Sequence, residues 1–207
     1  MPRTKSSQRW LARHVSDEFV KRARKEGARS RAAYKLEEID RRDHLLRPGM
    51  TVVDLGAAPG GWSQYVRGRI GDTGRLFALD ILPMEPIAGA EFVQGDFTEP
   101  AVLDLLMQRL AGKPVDLVIS DMAPNITGVA SVDQARIMNV AELALDFADK
   151  TLTPGGALLV KAFQGVGFQA FHREMQRRFD KLVTRKPRAS RSESREIYLL
   201  GKGFKGA

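Results

Sequence analysis

The chain has 207 residues, 43% apolar and 28% charged, which suits one soluble domain with a substantial core and a short extension. It contains no run of about 18 apolar residues, so no membrane-spanning helix is expected, and the absence of cysteine excludes disulfides and thiolate metal sites. The formal net charge of +8 is uneven: residues 1–35 hold eleven Lys/Arg against three Asp/Glu, while residues 36–207 hold 22 of each.

The first ten residues, Met1 to Trp10, carry charges with no apolar stretch behind them, unlike a secretory leader, so a cytoplasmic location is expected. Residues 1–15 show no hydrophobic periodicity and are expected to stay mobile until a partner orders them. With the basic run that follows they form an arm over residues 1–28, ahead of a domain over residues 29–207. Such an arm suits the phosphates of a polyanion, with counterion release as the driving force. On charge alone, a solvated segment that aids solubility is an equal reading. Asp17 to Lys25 fits a short helix, and Ser30 to Asp40 a stronger one with Ser30 as its cap. Pro48-Gly49 then breaks the chain.

From there the pattern alternates. Strands are predicted over 51–55, 75–80, 91–94, 115–120, 156–161, 182–186 and 195–201, and helices over 61–70, 100–110, 133–150 and 168–179. Short apolar strands separated by helices predict an α/β, Rossmann-like architecture: a mostly parallel seven-stranded sheet with helices on both faces. Only a basic polar turn separates the last two strands, so they read as an antiparallel hairpin, with one strand running against the rest. That turn belongs to a second basic cluster, Arg173 to Arg195, with nine basic residues against three acidic. His14, His44 and His172 lie far apart without ligand spacing, so no metal is expected.

The glycine-rich run Asp54-Leu-Gly-Ala-Ala-Pro-Gly-Gly-Trp62 falls at the first strand-to-helix turn, where nucleotide-like ligands bind in such sheets. A dinucleotide fingerprint would want glycine where Ala58 stands, and a phosphate-binding P-loop would want lysine where Trp62 stands. Asp54, Asp80 and Asp96 fall at or just past the ends of the first three strands, so the cleft is expected to be acidic. It would repel pyrophosphate and suit a cationic ligand with ribose hydroxyls. S-adenosylmethionine meets both conditions. Asp80 is the expected partner of its ribose diol and Asp96 of its adenine amino group, while Gly56 and Gly60 let the backbone approach the methionine part. A single strand-end Asp is more often a turn residue; three around one glycine loop are harder to dismiss.

The fourth strand ends Ser120-Asp-Met-Ala-Pro-Asn125, with one proline and no aromatic, which disfavours the D/N-P-P-Y/F motif of amino-methyltransferases. Methylation of pyrimidine C5 needs a cysteine nucleophile, which the chain lacks. A ribose 2′-hydroxyl remains. It is a poor nucleophile that must lose its proton during attack. The fifth strand places Lys161 at the end of an apolar run, where burial and a nearby sulfonium would lower its pKa from about 10.4. Asp121 opposes that effect but can orient the amine. Alone, Lys161 would read as a snorkelling surface residue. Lys35 and Glu196 are expected to form an outer pair that positions the ribose.

The loop Asp54 to Gln64, together with Ser120-Asp-Met-Ala-Pro-Asn125, Val160-Lys-Ala-Phe-Gln-Gly165 and Ser194-Arg-Glu-Ile-Tyr198, resembles the FtsJ/RrmJ family of ribosomal RNA 2′-O-methyltransferases, over about residues 27 to 201. The resemblance implies a Lys-Asp-Lys-Glu catalytic tetrad at Lys35, Asp121, Lys161 and Glu196, and S-adenosylmethionine held by Asp54, Gly56, Gly60, Trp62, Asp80, Asp96 and Asp121. It also implies a uridine in the A-loop of 23S rRNA as target, presented by the large (50S) ribosomal subunit rather than by naked RNA; the sequence leaves oligomeric state open, with a monomer as the default expectation. A ribosome-assembly factor with incidental activity is the other reading, as is a different RNA target. The residues alone leave open whether Lys161 is a base or an orienting group.

Overall fold

The computed structural model describes residues 17–124, 127–191 and 194–206; the arm up to residue 16, His14 and Asn125 lie outside them. In chain order the elements are α1 (Glu18–Glu26), α2 (Ala33–Asp43), β1 (Thr51–Leu55), α3 (Gly61–Ile70), β2 (Arg75–Asp80), β3 (Ala90–Gln94), α4 (Pro100–Leu110), β4 (Val115–Ser120), α5 (Ala130–Thr151), β5 (Leu152–Phe163), α6 (Phe168–Arg178), β6 (Phe179–Arg185) and β7 (Glu196–Phe204). The strands form one seven-stranded sheet in the order β3-β2-β1-β4-β5-β7-β6. Neighbours pair in parallel except around β7, which runs antiparallel to both β5 and β6. This is the α/β sheet with one reversed strand that the sequence predicts.

Side chains alternate between the faces of a strand, and that alternation positions the site. On one face, Leu36 and Ile39 of α2 and Trp62, Val66 and Ile70 of α3 pack against Val52, Leu76, Leu117, Ile119, Leu159, Tyr198 and Leu200. On the other, α4, α5 and α6 supply Leu106, Phe147 and Phe171 against Val53, Phe77, Val118, Leu158, Val160 and Leu199. Asp54, Asp121 and Lys161 each follow a residue of the first set by two, and Glu196 precedes Tyr198 by two. All four therefore belong to the face under α2 and α3, at the C-terminal ends of the parallel strands. The order of the sheet reverses between β1 and β4, and a crevice opens there.

Several boundaries differ from the predicted ones. Helix α2 starts at Ala33 rather than at Ser30, and Ala32 makes no side-chain cap. The chain enters through a turn in which Ala33 N donates to Ser30 O at 3.2 Å. The Ser30 hydroxyl is buried without a hydrogen-bond partner. Strand β5 begins at Leu152 and runs through Pro154-Gly155-Gly156, because Leu152 pairs with Val115 across an irregularity in register. Phe179 leaves the predicted helix and turns extended, packing its ring 5.6 Å from that of Phe204.

Helix α1, the described part of the arm, is capped by Asp17, whose Oδ1 accepts from Phe19 N at 2.9 Å. Its buried Ala23 packs with Tyr34 and Ala189, and Arg22 stands 4.1 Å above the Tyr34 ring. Among the described residues no helix is long and apolar enough to cross a membrane.

Candidate active site

A cleft of about 480 Å³ opens at the ends of β1, β2 and β4. Three of its lining residues are carboxylates, Asp80, Asp96 and Asp121, and none is Lys or Arg. Its apolar walls come from Leu79, Ile81, Leu82, Phe97, Val140 and Leu143. A larger hollow of about 750 Å³ lies between α1 and α2, away from the glycine loop. Some of its charges pair with one another, as in Arg41–Glu37 at 2.6 Å.

The cleft's carboxylates are fixed by the main chain. Asp80 Oδ2 accepts from Ala58 N and Oδ1 from Leu82 N, each at 2.8 Å. Both bonds to Asp96 fall on Oδ1, from Thr98 N at 2.8 Å and Thr98 Oγ1 at 2.7 Å. Asp96 Oδ2 and one lone pair on each Asp80 oxygen are left for a ligand. Gly56 has φ +79°, and a Cβ there would lie 2.4 Å from Met122 Cγ; Gly60 has φ +101°, and a Cβ would meet Arg29 Cδ and Met84 Sδ at 2.9 Å. Glycine is required at both.

Three of the expected ligand residues, Asp54, Gly60 and Trp62, do not line the cleft. Asp54 is fully buried beneath it; Oδ2 accepts from Ser63 Oγ at 2.6 Å, while Oδ1 has no partner. Burial pushes its carboxyl up to about 7; the Ser63 bond works against that, and the charges of Asp121 and Asp80 add to it. Trp62 is 3% exposed, donates Nε1 to Ala32 O at 2.8 Å and stacks obliquely on Tyr198 at 5.7 Å. Its side chain braces α2, and only its main chain, at the N-terminus of α3, faces the loop.

Beside the cleft, a line of polar side chains crosses from β7 to β4. Lys35 Nζ lies 2.7 Å from Glu196 Oε1 as an ion pair and donates to Tyr198 OH at 3.0 Å. Tyr198 OH donates to Asp121 Oδ1 at 2.6 Å. Lys161 Nζ completes the line, 3.0 Å from Asp121 Oδ1 and 2.5 Å from Asp121 O. The structure thus brings Lys35, Asp121, Lys161 and Glu196 together, and Asp121 belongs to both this line and the cleft. Burial would raise the Asp121 carboxyl, but the charges of Lys161 and Lys35 and the Tyr198 hydrogen bond outweigh it and hold the group below its ordinary range. Burial, with Asp121 and Glu196 nearby, pushes the Tyr198 phenol well above its ordinary value, so it keeps its proton and donates.

Tyr198 and Ser30 escape the sequence reading. Tyr198 shares a strand face with Glu196 because it lies two residues on, which is the signal that could have found it. Ser30 is mistaken for a cap; its hydroxyl instead points at Gly61, where a Cβ would lie 2.2 Å from Oγ. The second basic cluster is partly spent inside the molecule: Arg185 clamps Asp43 through Nε and Nη2 at 2.8 and 2.7 Å, and Arg178 pairs with Asp149 at 2.5 Å. Among the described residues no group of three His, Asp or Glu is placed to hold a metal.

The residues of the cleft fit S-adenosylmethionine. Its acidic, cation-free lining suits a sulfonium, its apolar walls an adenine, and the uncapped start of α3 with the unpartnered Ser30 hydroxyl suits a carboxylate.

The FtsJ-like methyltransferase family model matches residues 28–204. The chain is 64% identical over 201 residues to the ribosomal RNA large subunit methyltransferase E of Stenotrophomonas maltophilia, covering 97% of this chain and 96% of the relative. It is 60% identical over 202 residues to the protein of the same name from Alkalilimnicola ehrlichii, covering 98% and 97%. A solved ribosomal RNA methyltransferase from Plasmodium falciparum superposes with a TM-score of 0.76 at 28% identity, covering 86% of this chain and 100% of that one.

Proposed function

Since the chain belongs to the FtsJ-like methyltransferase family, we propose that it moves the methyl group of S-adenosylmethionine onto a ribose 2′-oxygen of large-subunit ribosomal RNA, at the A-loop uridine of 23S rRNA. The observation that carries this reading is the Lys161–Asp121 pair at the lip of an acid-lined, cation-free cleft, with the Lys35–Glu196 pair directly beyond it. When bound, the cofactor supplies an electrophilic methyl group. Asp80 takes its ribose diol, Asp96 its adenine amino group, and the main chain from Gly60 to Trp62 with Ser30 Oγ its carboxylate. Gly56 keeps the floor of the cleft open, and Asp54 lies buried beneath it.

Lys161 is the group that handles the hydroxyl proton. Two oxygens of Asp121 orient its Nζ, so that the neutral amine can accept the hydroxyl proton and the ammonium that results is held beside the carboxylate. Asp121 stays ionised and so balances a cation on either side of the proton transfer. Tyr198 passes the position of Asp121 on to Lys35, and Lys35 with Glu196 grips the ribose from the far side. Positioning and charge placement do most of the work. On this reading the enzyme acts as a cytoplasmic monomer, and its basic arm meets RNA phosphates on the assembled large subunit.

The test is transfer of labelled methyl to undermethylated large subunits, with nucleotide mapping, for the native chain and Lys161→Ala. Label at a single A-loop ribose, lost in the variant, is the expected result. If native protein binds subunits and leaves no label, the chain acts as an assembly factor or on another RNA. Label that persists in the variant removes Lys161 from the proton transfer.

A further inference from the structure

The five residues from Gly27 to Arg31 touch four parts of the molecule at once. Gln64 of α3 holds this segment at two points, accepting from Arg29 N at 3.0 Å and donating Nε2 to Gly27 O at 3.1 Å. Arg31 pairs with Asp17 at the start of α1 and donates to Ala189 O in the turn before β7. Between them, the Arg29 guanidinium reaches across Gly60 to the loop after β2. Nη1 donates to Glu85 O at 2.5 Å and Nη2 to Pro86 O at 2.7 Å.

The near end of that loop forms part of the mouth of the cleft, and Pro83 to Pro86 border a separate small hollow with Pro59. The loop's first residues, Ile81 and Leu82, line the cleft while each remains 60% exposed. Pro83 and Pro86 have no N–H to give, so the loop ties itself down poorly. Besides Arg29, its side-chain tethers among the described residues are Asp80 to Leu82 N at 2.8 Å and Gln94 Nε2 to Ile81 O at 3.3 Å, both at the near end. The far end depends on a guanidinium from outside the sheet.

We infer that Arg29 is a positioning residue for the cofactor, clamping the mouth of the cleft in its binding shape from the root of the basic arm. The inference rests on the cofactor reading given above. A cleft that loses its clamp spends less time in the competent shape, and apparent affinity falls by the fraction lost. Arg29→Ala is expected to weaken S-adenosylhomocysteine binding about tenfold. Arg29→Lys is expected to do nearly the same, since one ammonium cannot span two carbonyls as a planar fork does. A mere charge effect has the opposite sign, because removing a cation beside an acidic cleft favours the cationic cofactor.

The experiment is calorimetric titration of S-adenosylhomocysteine and S-adenosylmethionine into native, Arg29→Ala and Arg29→Lys proteins, with thermal midpoints alongside. Weaker binding of both ligands in both variants, at a midpoint near the native one and with KM for the cofactor raised more than kcat is lowered, supports the clamp. Native-like affinity in Arg29→Ala, tighter S-adenosylmethionine binding in it, rescue by Lys, or a weakening matched by a collapsed midpoint overturns it. No binding by the native chain would instead remove the cofactor reading itself.

Discussion

Tyr198 and Asp54 are both buried polar residues on the same face, and their environments drive them to opposite uses. Tyr198 has partners on both sides of its oxygen, so burial locks it as a donor between Lys35 and Asp121. Asp54 has Ser63 on one oxygen and nothing on the other, so burial acts against its charge. Its carboxyl is pushed up to about 7, against an ordinary value of 3.8. The folded state therefore holds this proton more tightly than the unfolded chain does. The cost of ionising Asp54 in the folded state is absent below about pH 4, grows as pH rises, and is complete above about 7, where it is of the order of 4 kcal/mol. Asp121, Asp43 and Asp133 are held low and lose their stabilisation as pH falls, which opposes that trend in native protein and variant alike. Asp54→Asn should thus gain stability relative to the native chain between pH 4.5 and 7.5. Thermal midpoints across that range test it, and parallel curves would show that Asp54 stays ionised throughout.

Helix α2 delivers Lys35 at one end because its other end is pinned. Asp40 is 1% exposed and accepts from Leu46 N at 2.7 Å, Tyr65 OH at 2.8 Å and Arg69 Nε at 3.0 Å. Asp43 is clamped by Arg185 from β6. Arg69 is half exposed and adds little, whereas Tyr65 and the Leu46 amide would be left with unmet donors if the carboxylate were removed. Asp40→Ala should cost roughly 3 kcal/mol, a fall in melting temperature of roughly 6–12 °C; a fall under about 2 °C would mean that water replaces the carboxylate. None of this pinning is visible in the sequence, since Asp40 reads there only as the last residue of a helix. The strands β1, β2 and β4 are legible to the residue, because each is a short apolar run with polar ends. The grouping of Lys35, Asp121, Lys161 and Glu196 is legible through their motifs, and for the last three through strand-end positions. Ser30 and Trp62 are not, because a hydroxyl before a helix looks like a cap and an aromatic after glycines looks like a ligand wall, until the packing of α2 on α3 turns both inward.

Across the whole molecule, charge of opposite sign is sorted by location. Carboxylates line the cleft, while cations concentrate in the arm and in the segment from Arg173 to Arg195, where ion pairs with Asp43 and Asp149 absorb part of the excess. A cationic cofactor and a polyanionic substrate can then approach the same lysine from different sides without competing. Residues 1–15 hold four Lys/Arg, Arg3, Lys5, Arg9 and Arg13, and no acidic residue. If each neutralises one phosphate, each contributes about 0.7–0.9 to the slope of log affinity against log salt. Changing the four to Gln should flatten that slope by up to about 3.6 and weaken binding most at low salt. Cofactor affinity is expected to stay unchanged, since among the described residues it is Arg29 that joins this end of the chain to the loop beside the cleft. Binding of a large-subunit RNA fragment, measured at several salt concentrations for both proteins, decides it. An unaltered slope would assign the phosphate contacts to the turn before β7 and leave the first fifteen residues without an electrostatic part in substrate capture.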